Sequence, residues 1–145
     1  VRVQAGDFEP GAELAAVAPG DHGVGGVASF IGLVRDFGPG SAMTLEHYPG
    51  MTERQLQAIA EDAARRWPLS GVRIVHRFGR LVPGDRIVFA AAASAHRKAA
   101  FGACEFLVDW LKTKAPFWKL EESGGQRAWV EAKDSDDAAA ERWSR

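Results

Sequence analysis

Apolar positions recur at helical spacing in three segments of the chain. Between residues 52 and 67, Leu56, Ile59, Ala60, Ala63 and Trp67 keep the period of a helix, and Pro68 stops the run. Thr52 and Gln55 stand at capping-box spacing, which predicts where that helix starts. A second helix is expected after Ser94, a suitable N-cap, with Ala100, Cys104, Leu107, Val108 and Leu111 as its apolar stripe. Pro116 must end it, because its ring cannot sit in a helix interior and disfavours helix at Ala115. Residues 10–17 carry a shorter helical pattern, with Leu14 and Val17 as the larger apolar side chains.

Other segments alternate and are partly β-branched. Strands are expected over residues 1–4, 23–37, 43–48, 72–78, 86–93 and 128–133. Glycines 23, 25, 26 and 32 in the second of these predict a bulge or a close backbone approach. Gly38-Pro39-Gly40 reads as a turn or mobile loop, and Pro83-Gly84-Asp85 as a turn. Residues 116–119 read as extended, and 134–143 as a terminal helix. Strands and helices mix irregularly, which predicts an α+β fold over a doubly wound sheet. No repeat, linker or low-complexity stretch divides the 145 residues, so one domain over 1–145 is expected.

Composition narrows the function classes. Hydrophobic residues make up 46% of the chain, yet 25 of them are alanines, so large apolar side chains are scarce. Four of the five tryptophans (Trp110, Trp118, Trp129, Trp143) follow residue 100. The composition excludes a disordered chain, and no apolar run of membrane-spanning length exists. No signal-peptide pattern opens the chain, which starts at Val1, so a few residues are expected to precede it. The single cysteine allows no internal disulfide, and a reducing, cytoplasmic setting is the expectation. A net charge of -1 argues against a nucleic-acid binder. Locally the charge is uneven. Residues 96–119 carry five Lys/Arg against two acids, a local +3, whereas 120–145 sum to -3. A basic stretch among aromatics suits one anionic ligand better than a polyanion track.

Lys112 and Lys119 are seven residues apart, with Pro116 between them. Lysines gathered near the extended stretch would depress one another's pKa and could serve as base or nucleophile. The alternative is that they complement the helix dipole and stay solvated. Ser94-Ala95-His96-Arg97-Lys98 opens a helix whose free N–H groups suit an anion, and Arg97 offers a planar fork for phosphate. An ordinary capped first turn is the alternative. Arg35 ends the Gly-rich strand, where arginines are usually just solvated. A His–Glu pair at Glu46-His47 would shape the turn before the first long helix. The four histidines are dispersed and lack metal-ligand spacing, so no metal and no cofactor is expected. Gly23-x-Gly25-Gly26 is not a dinucleotide fingerprint. Cys104 lies on the apolar stripe and reads as core.

Several motifs occur together in a fixed order. They are Leu45-Glu46-His47-Tyr48-Pro49-Gly50-Met51-Thr52, Trp67-Pro68, Val75-His76-Arg77-Phe78-Gly79, Pro83-Gly84-Asp85, Ser94-Ala95-His96-Arg97 and Leu111-Lys112-Thr113-Lys114-Ala115-Pro116-Phe117-Trp118-Lys119. In this combination the chain resembles the MoaE family, the catalytic subunits of molybdopterin synthase, from about residue 25 to 143. The resemblance implies an α/β-hammerhead fold with an additional antiparallel β-sheet subdomain. It implies a sulfurtransferase that moves sulfur from the C-terminal Gly-Gly thiocarboxylate of a small ubiquitin-like subunit to cyclic pyranopterin monophosphate. The product is the molybdopterin dithiolene of molybdenum cofactor biosynthesis. It implies a homodimer of large subunits within a heterotetramer.

Position by position, Lys119 matches the family's principal catalytic lysine and Lys112 its second active-site lysine. His96 and Arg97 match residues that hold the pterin phosphate, and Arg35 an arginine contributed to the anion pocket across the dimer. Phe30, Phe117 and Trp118 are expected to form apolar walls. Lys133 stands where an arginine is expected. The chain is not the sulfur carrier itself, since Gly124-Gly125 is internal. Two other readings are a non-catalytic module that holds a ubiquitin-like tail or anionic metabolite, and an unrelated phosphate-binding α+β enzyme.

Overall fold

The computed structural model describes residues 1–130 and 141–143. Two four-stranded sheets and three helices make up the described fold, which is α+β. The first sheet contains β1 (Arg2–Gln4), β4 (Leu69–Arg77), β6 (Arg86–Ser94) and β2 (Gly26–Leu33), in that order across the sheet. β1 runs parallel to β4, and the other pairs are antiparallel.

The alanines find their place in β6. Ala90, Ala91, Ala92 and Ala93 are fully buried, and their small side chains let elements close on both faces of the sheet. On one face lie α2 (Met51–Arg66) and α3 (Arg97–Thr113). Leu56, Ile59 and Ala63 of α2 meet Ile74, Ala90, Phe106 and Leu107 there. On the other face, Phe8, Val17, Val75, Phe89 and Ala91 form a second cluster beside α1 (Pro10–Ala15).

Both long helices sit where their apolar periods predict, but their starts differ in chemistry. α2 begins one residue early, at Met51, with Gly50 at the N-cap in a left-handed conformation (φ 85°). Glu53 supplies the return bond by accepting from the Gly50 N–H at 2.9 Å. Thr52 is buried instead, accepting from the Tyr48 N–H and donating to the Tyr48 carbonyl. The expected Thr52–Gln55 capping box is therefore replaced by the single Glu53 return bond, since Gly50 has no side chain to cap with. In α3, His96 takes the N-cap position. Ser94 lies two residues earlier, accepting from the His96 N–H and donating to the Pro68 carbonyl.

α1 keeps only part of its expected apolar face: Val17, just past its end, is buried as expected. Leu14 is exposed and Glu13 is buried, because Arg2 and Arg73 both pair with the Glu13 carboxylate. The predicted close approach is at Gly25, where a Cβ would drive into the Ala95 carbonyl oxygen. The register shift in β2 lies at Gly32/Leu33.

The second sheet contains β5 (Gly79–Leu81), β3 (Ala42–His47), β7 (Phe117–Ser123) and β8 (Gln126–Val130), all antiparallel. β7 extends the segment read as 116–119 to a full strand. Gly124 and Gly125, both with positive φ, form the two-residue hairpin turn into β8. Lys133 and residues 134–140 of the expected terminal helix lie outside the described residues. Among the described residues, no helix is long and apolar enough to cross a membrane.

Candidate active site

Lys119 is carried by β7, and strand alternation decides what it faces. Phe117, Lys119 and Glu121 point to one side of the sheet, and Trp118 and Leu120 to the other. β3 pairs Leu45 with Lys119 and His47 with Phe117, so these side chains share the Lys119 side.

Phe117 ties this side to the first sheet. Its ring stacks on the His76 imidazole of β4, with centroids 3.8 Å apart and planes 16° apart. His47 lies 5.9 Å from the Phe117 ring and 4.6 Å from Phe78. His47 Nδ1 lies 3.1 Å from the Thr52 hydroxyl oxygen. The hydroxyl proton already serves the Tyr48 carbonyl, so Nδ1 is the donor. The carboxylate near His47 is Glu53, 3.9 Å away, and Glu46 falls on the opposite side of β3. The expected Glu46–His47 pair is thus replaced by Glu53–His47.

His76 is held neutral. Burial pushes its pKa down to about 4, against a hydrogen bond from Nδ1 to the Arg77 carbonyl. The positive charge of Lys112 and the His47 ring push the same way. Lys112 stands in the last turn of α3 and acts on the imidazole that stacks beneath Phe117. The break at Pro116 therefore puts Lys112 at the end of a helix, within electrostatic reach of His76, and Lys119 on the strand that begins at Phe117.

The remaining candidates separate. His96 and Arg97 are exposed at the start of α3, a first turn with no acidic residue. Arg97 and Lys112 are fifteen positions apart on one helix, about 22 Å along the axis. Within one chain, the anion-binding turn and the lysine pair lie at opposite ends of α3. Arg35 is exposed just past β2, at the lysine end of the sheet, since Gly32, Val88 and His76 align across it. The 36–41 segment after it is pinned. Asp36 accepts from the Gly38 N–H and the Ser41 hydroxyl, and the Gly124 N–H donates to the Pro39 carbonyl at 2.8 Å.

Phe30 packs under α3 with Ala28, Ala100 and Cys104. Trp118 stands on the far side of β7 from Lys119, edge-on to Tyr48. Of the three expected apolar walls, only Phe117 shares the Lys119 side. Cys104 is core, its thiol pushed up to about 11 by burial. Sequence reasoning assigned no role to His76, although its Val75–Gly79 motif was conspicuous.

An α+β protein with Lys119 on the Phe117 side of β7, Lys112 within electrostatic reach of His76, and a first turn of α3 that carries no acidic residue presents cationic groups suited to anions. The profile of the family described as MoaE protein matches residues 3–114. A relative from Pseudomonas aeruginosa named molybdopterin synthase catalytic subunit is 54% identical over 99% of this chain and 97% of its own. The protein of that name from Escherichia coli is 50% identical over 94% and 92%. A solved molybdopterin biosynthesis MoaE protein from Burkholderia ambifaria superposes with a TM-score of 0.85, at 50% identity over 99% and 97% of the two chains. A solved molybdopterin synthase from Staphylococcus aureus gives 0.80 at 28% identity, over 88% and 94%. This chain belongs to the MoaE family, the catalytic subunits of molybdopterin synthase.

Proposed function

We propose that this chain transfers sulfur from the C-terminal thiocarboxylate of a small ubiquitin-like subunit to cyclic pyranopterin monophosphate, forming the molybdopterin dithiolene in the cytoplasm. The observation that supports this reading is the His76–Phe117 stack, with Lys119 on the Phe117 side of β7 and the charge of Lys112 acting on the same imidazole. The thiocarboxylate and the phosphate are both anions, and cationic groups held by packed strands and helices bind them without reorganisation. The thiocarboxylate sulfur adds to a side-chain carbon of the precursor, the C–O bond at that carbon breaks, and Lys119, helped by Lys112, supplies the proton with which the oxygen leaves; a second thiocarboxylated carrier repeats the step at the neighbouring carbon. The carrier's acyl carbon then takes up water through a tetrahedral intermediate, whose oxyanion Lys119 stabilises. The carrier leaves as a carboxylate. Phe117 forms the apolar wall beside the reacting groups.

His96 and Arg97 bind the pterin phosphate, and the span of about 22 Å along α3 supports a site built from two copies of the chain. In this arrangement His96 and Arg97 of one copy complete the lysine site of the partner, within a heterotetramer of two large and two small subunits. Arg35, which the resemblance implies is contributed across the dimer, is proposed to add charge at the lysine end of its own chain.

The test is conversion of the pterin precursor by the purified chain supplied with thiocarboxylated carrier. Dithiolene formation is expected. Tight carrier binding with no conversion would instead make the chain a binding module. Mixing Arg97→Ala and Lys119→Ala chains should restore part of the activity that each lacks alone, if two copies share each site.

A further inference from the structure

We infer that His76 is a positioning residue for Lys119, acting through the ring of Phe117. The inference rests on the functional reading above and adds to it a residue with no assigned role.

His76 meets the strand that carries Lys119 at its first residue. The stack on Phe117, at 3.8 Å and 16°, lies two residues before Lys119 and on the same side of β7. The imidazole cannot rotate freely, because Nδ1 donates to the Arg77 carbonyl at 2.8 Å. The main chain behind it is fixed as well. His76 pairs with Val88 of β6 and Val3 of β1, and the Arg77 guanidinium donates to the carbonyls of Ala5 and Arg86. The connection from α3 to β7 is short, and Phe117 N–H donates to the Ala115 carbonyl within it. A rigid first sheet thus sets where β7 begins. That placement sets where Lys119, two residues along β7, stands relative to the end of α3. A small displacement of a proton-transfer group costs rate far more than it costs binding.

The test compares His76→Ala, His76→Phe, Phe117→Leu and the His76→Ala/Phe117→Leu double variant, each assembled with thiocarboxylated carrier. His76→Ala should lower kcat at least about tenfold while carrier affinity stays within about twofold. His76→Phe keeps a ring on Phe117 and should recover most of that loss. The double variant should lose no more than the worse single variant, because both act through one contact. A folded His76→Ala with wild-type kcat would overturn the inference. So would a His76→Phe no better than His76→Ala, or additive losses in the cycle. Should His76→Ala fail to fold, the comparison of His76→Phe with Phe117→Leu decides it: a near-normal kcat in the first and a low one in the second is expected, and the reverse overturns it. Failure of the wild-type assembly to form dithiolene would strike the functional reading instead.

Discussion

Trp118 stands edge-on to Tyr48, ring centroids 4.5 Å apart at 87°, on the side of β7 that Lys119 does not share. A residue next to the proposed catalytic lysine in sequence is thereby turned away from it in space. Trp118→Ala should keep kcat within about threefold at saturating carrier, since no transition-state contact is removed. Turnover measured against carrier concentration checks this. A kcat as low as that of Lys119→Ala would place Trp118 in the site after all.

Acid should weaken the fold through His76. Its folded pKa, about 4, lies below the ordinary value of 6.5. Between these values the unfolded chain binds more protons, so stability is full above 6.5 and falls as pH drops towards 4. From pH 7 to pH 5 the loss is about 2 kcal/mol from this group. Asp7, Glu13 and Asp36 have lowered pKa values and add their losses at lower pH. Urea unfolding of wild type and His76→Phe should show a flatter profile for the variant between pH 7 and 5.

Gly25→Ala should disturb the start of α3. The added methyl meets the Ala95 carbonyl, next to His96, and backbone cannot yield as a side-chain tip would. The Gly25 N–H also donates to the Ser94 carbonyl at 2.9 Å, so the two segments cannot separate without losing that bond. A cost of about 1–3 kcal/mol is expected in chemical denaturation. A neutral substitution would show that this crossing is looser than its contacts indicate.

Glu13→Ala should cost about 2 kcal/mol. The buried carboxylate bridges Arg2 of β1 and Arg73 of β4, and its removal leaves two guanidinium groups without their acceptor. Both arginines retain some exposure, which keeps the cost below that of a fully buried pair. A shift in thermal midpoint, compared with Leu14→Ala as an exposed control, reads this out.

The long helices were legible because their apolar stripes run several turns and end in Pro68 and Pro116. The mixed α+β class was legible from the irregular order of elements. Glu13 was not, since only its non-local arginines make burial of a carboxylate tolerable. β5 has three residues, too few to show alternation. In the site, the break at Pro116 that leaves Lys112 on a helix and Lys119 on a strand could be read from the chain. Two further signals were present and simple. Alternation in an extended 117–119 segment already sets Trp118 opposite Phe117 and Lys119. A continuous helix from residue 97 to 113 already separates Arg97 from Lys112. The stack of His76 on Phe117 joins residues 41 apart in sequence, and no local pattern encodes it.

The central claim is that Lys119 carries the chemistry of sulfur transfer while other surfaces hold the partners. Single-turnover conversion by Lys119→Ala with thiocarboxylated carrier tests this most directly, alongside carrier affinity of the same variant. Near-complete loss of dithiolene formation with carrier affinity largely unchanged is the predicted result. Full turnover by a folded Lys119→Ala assembly would contradict the account.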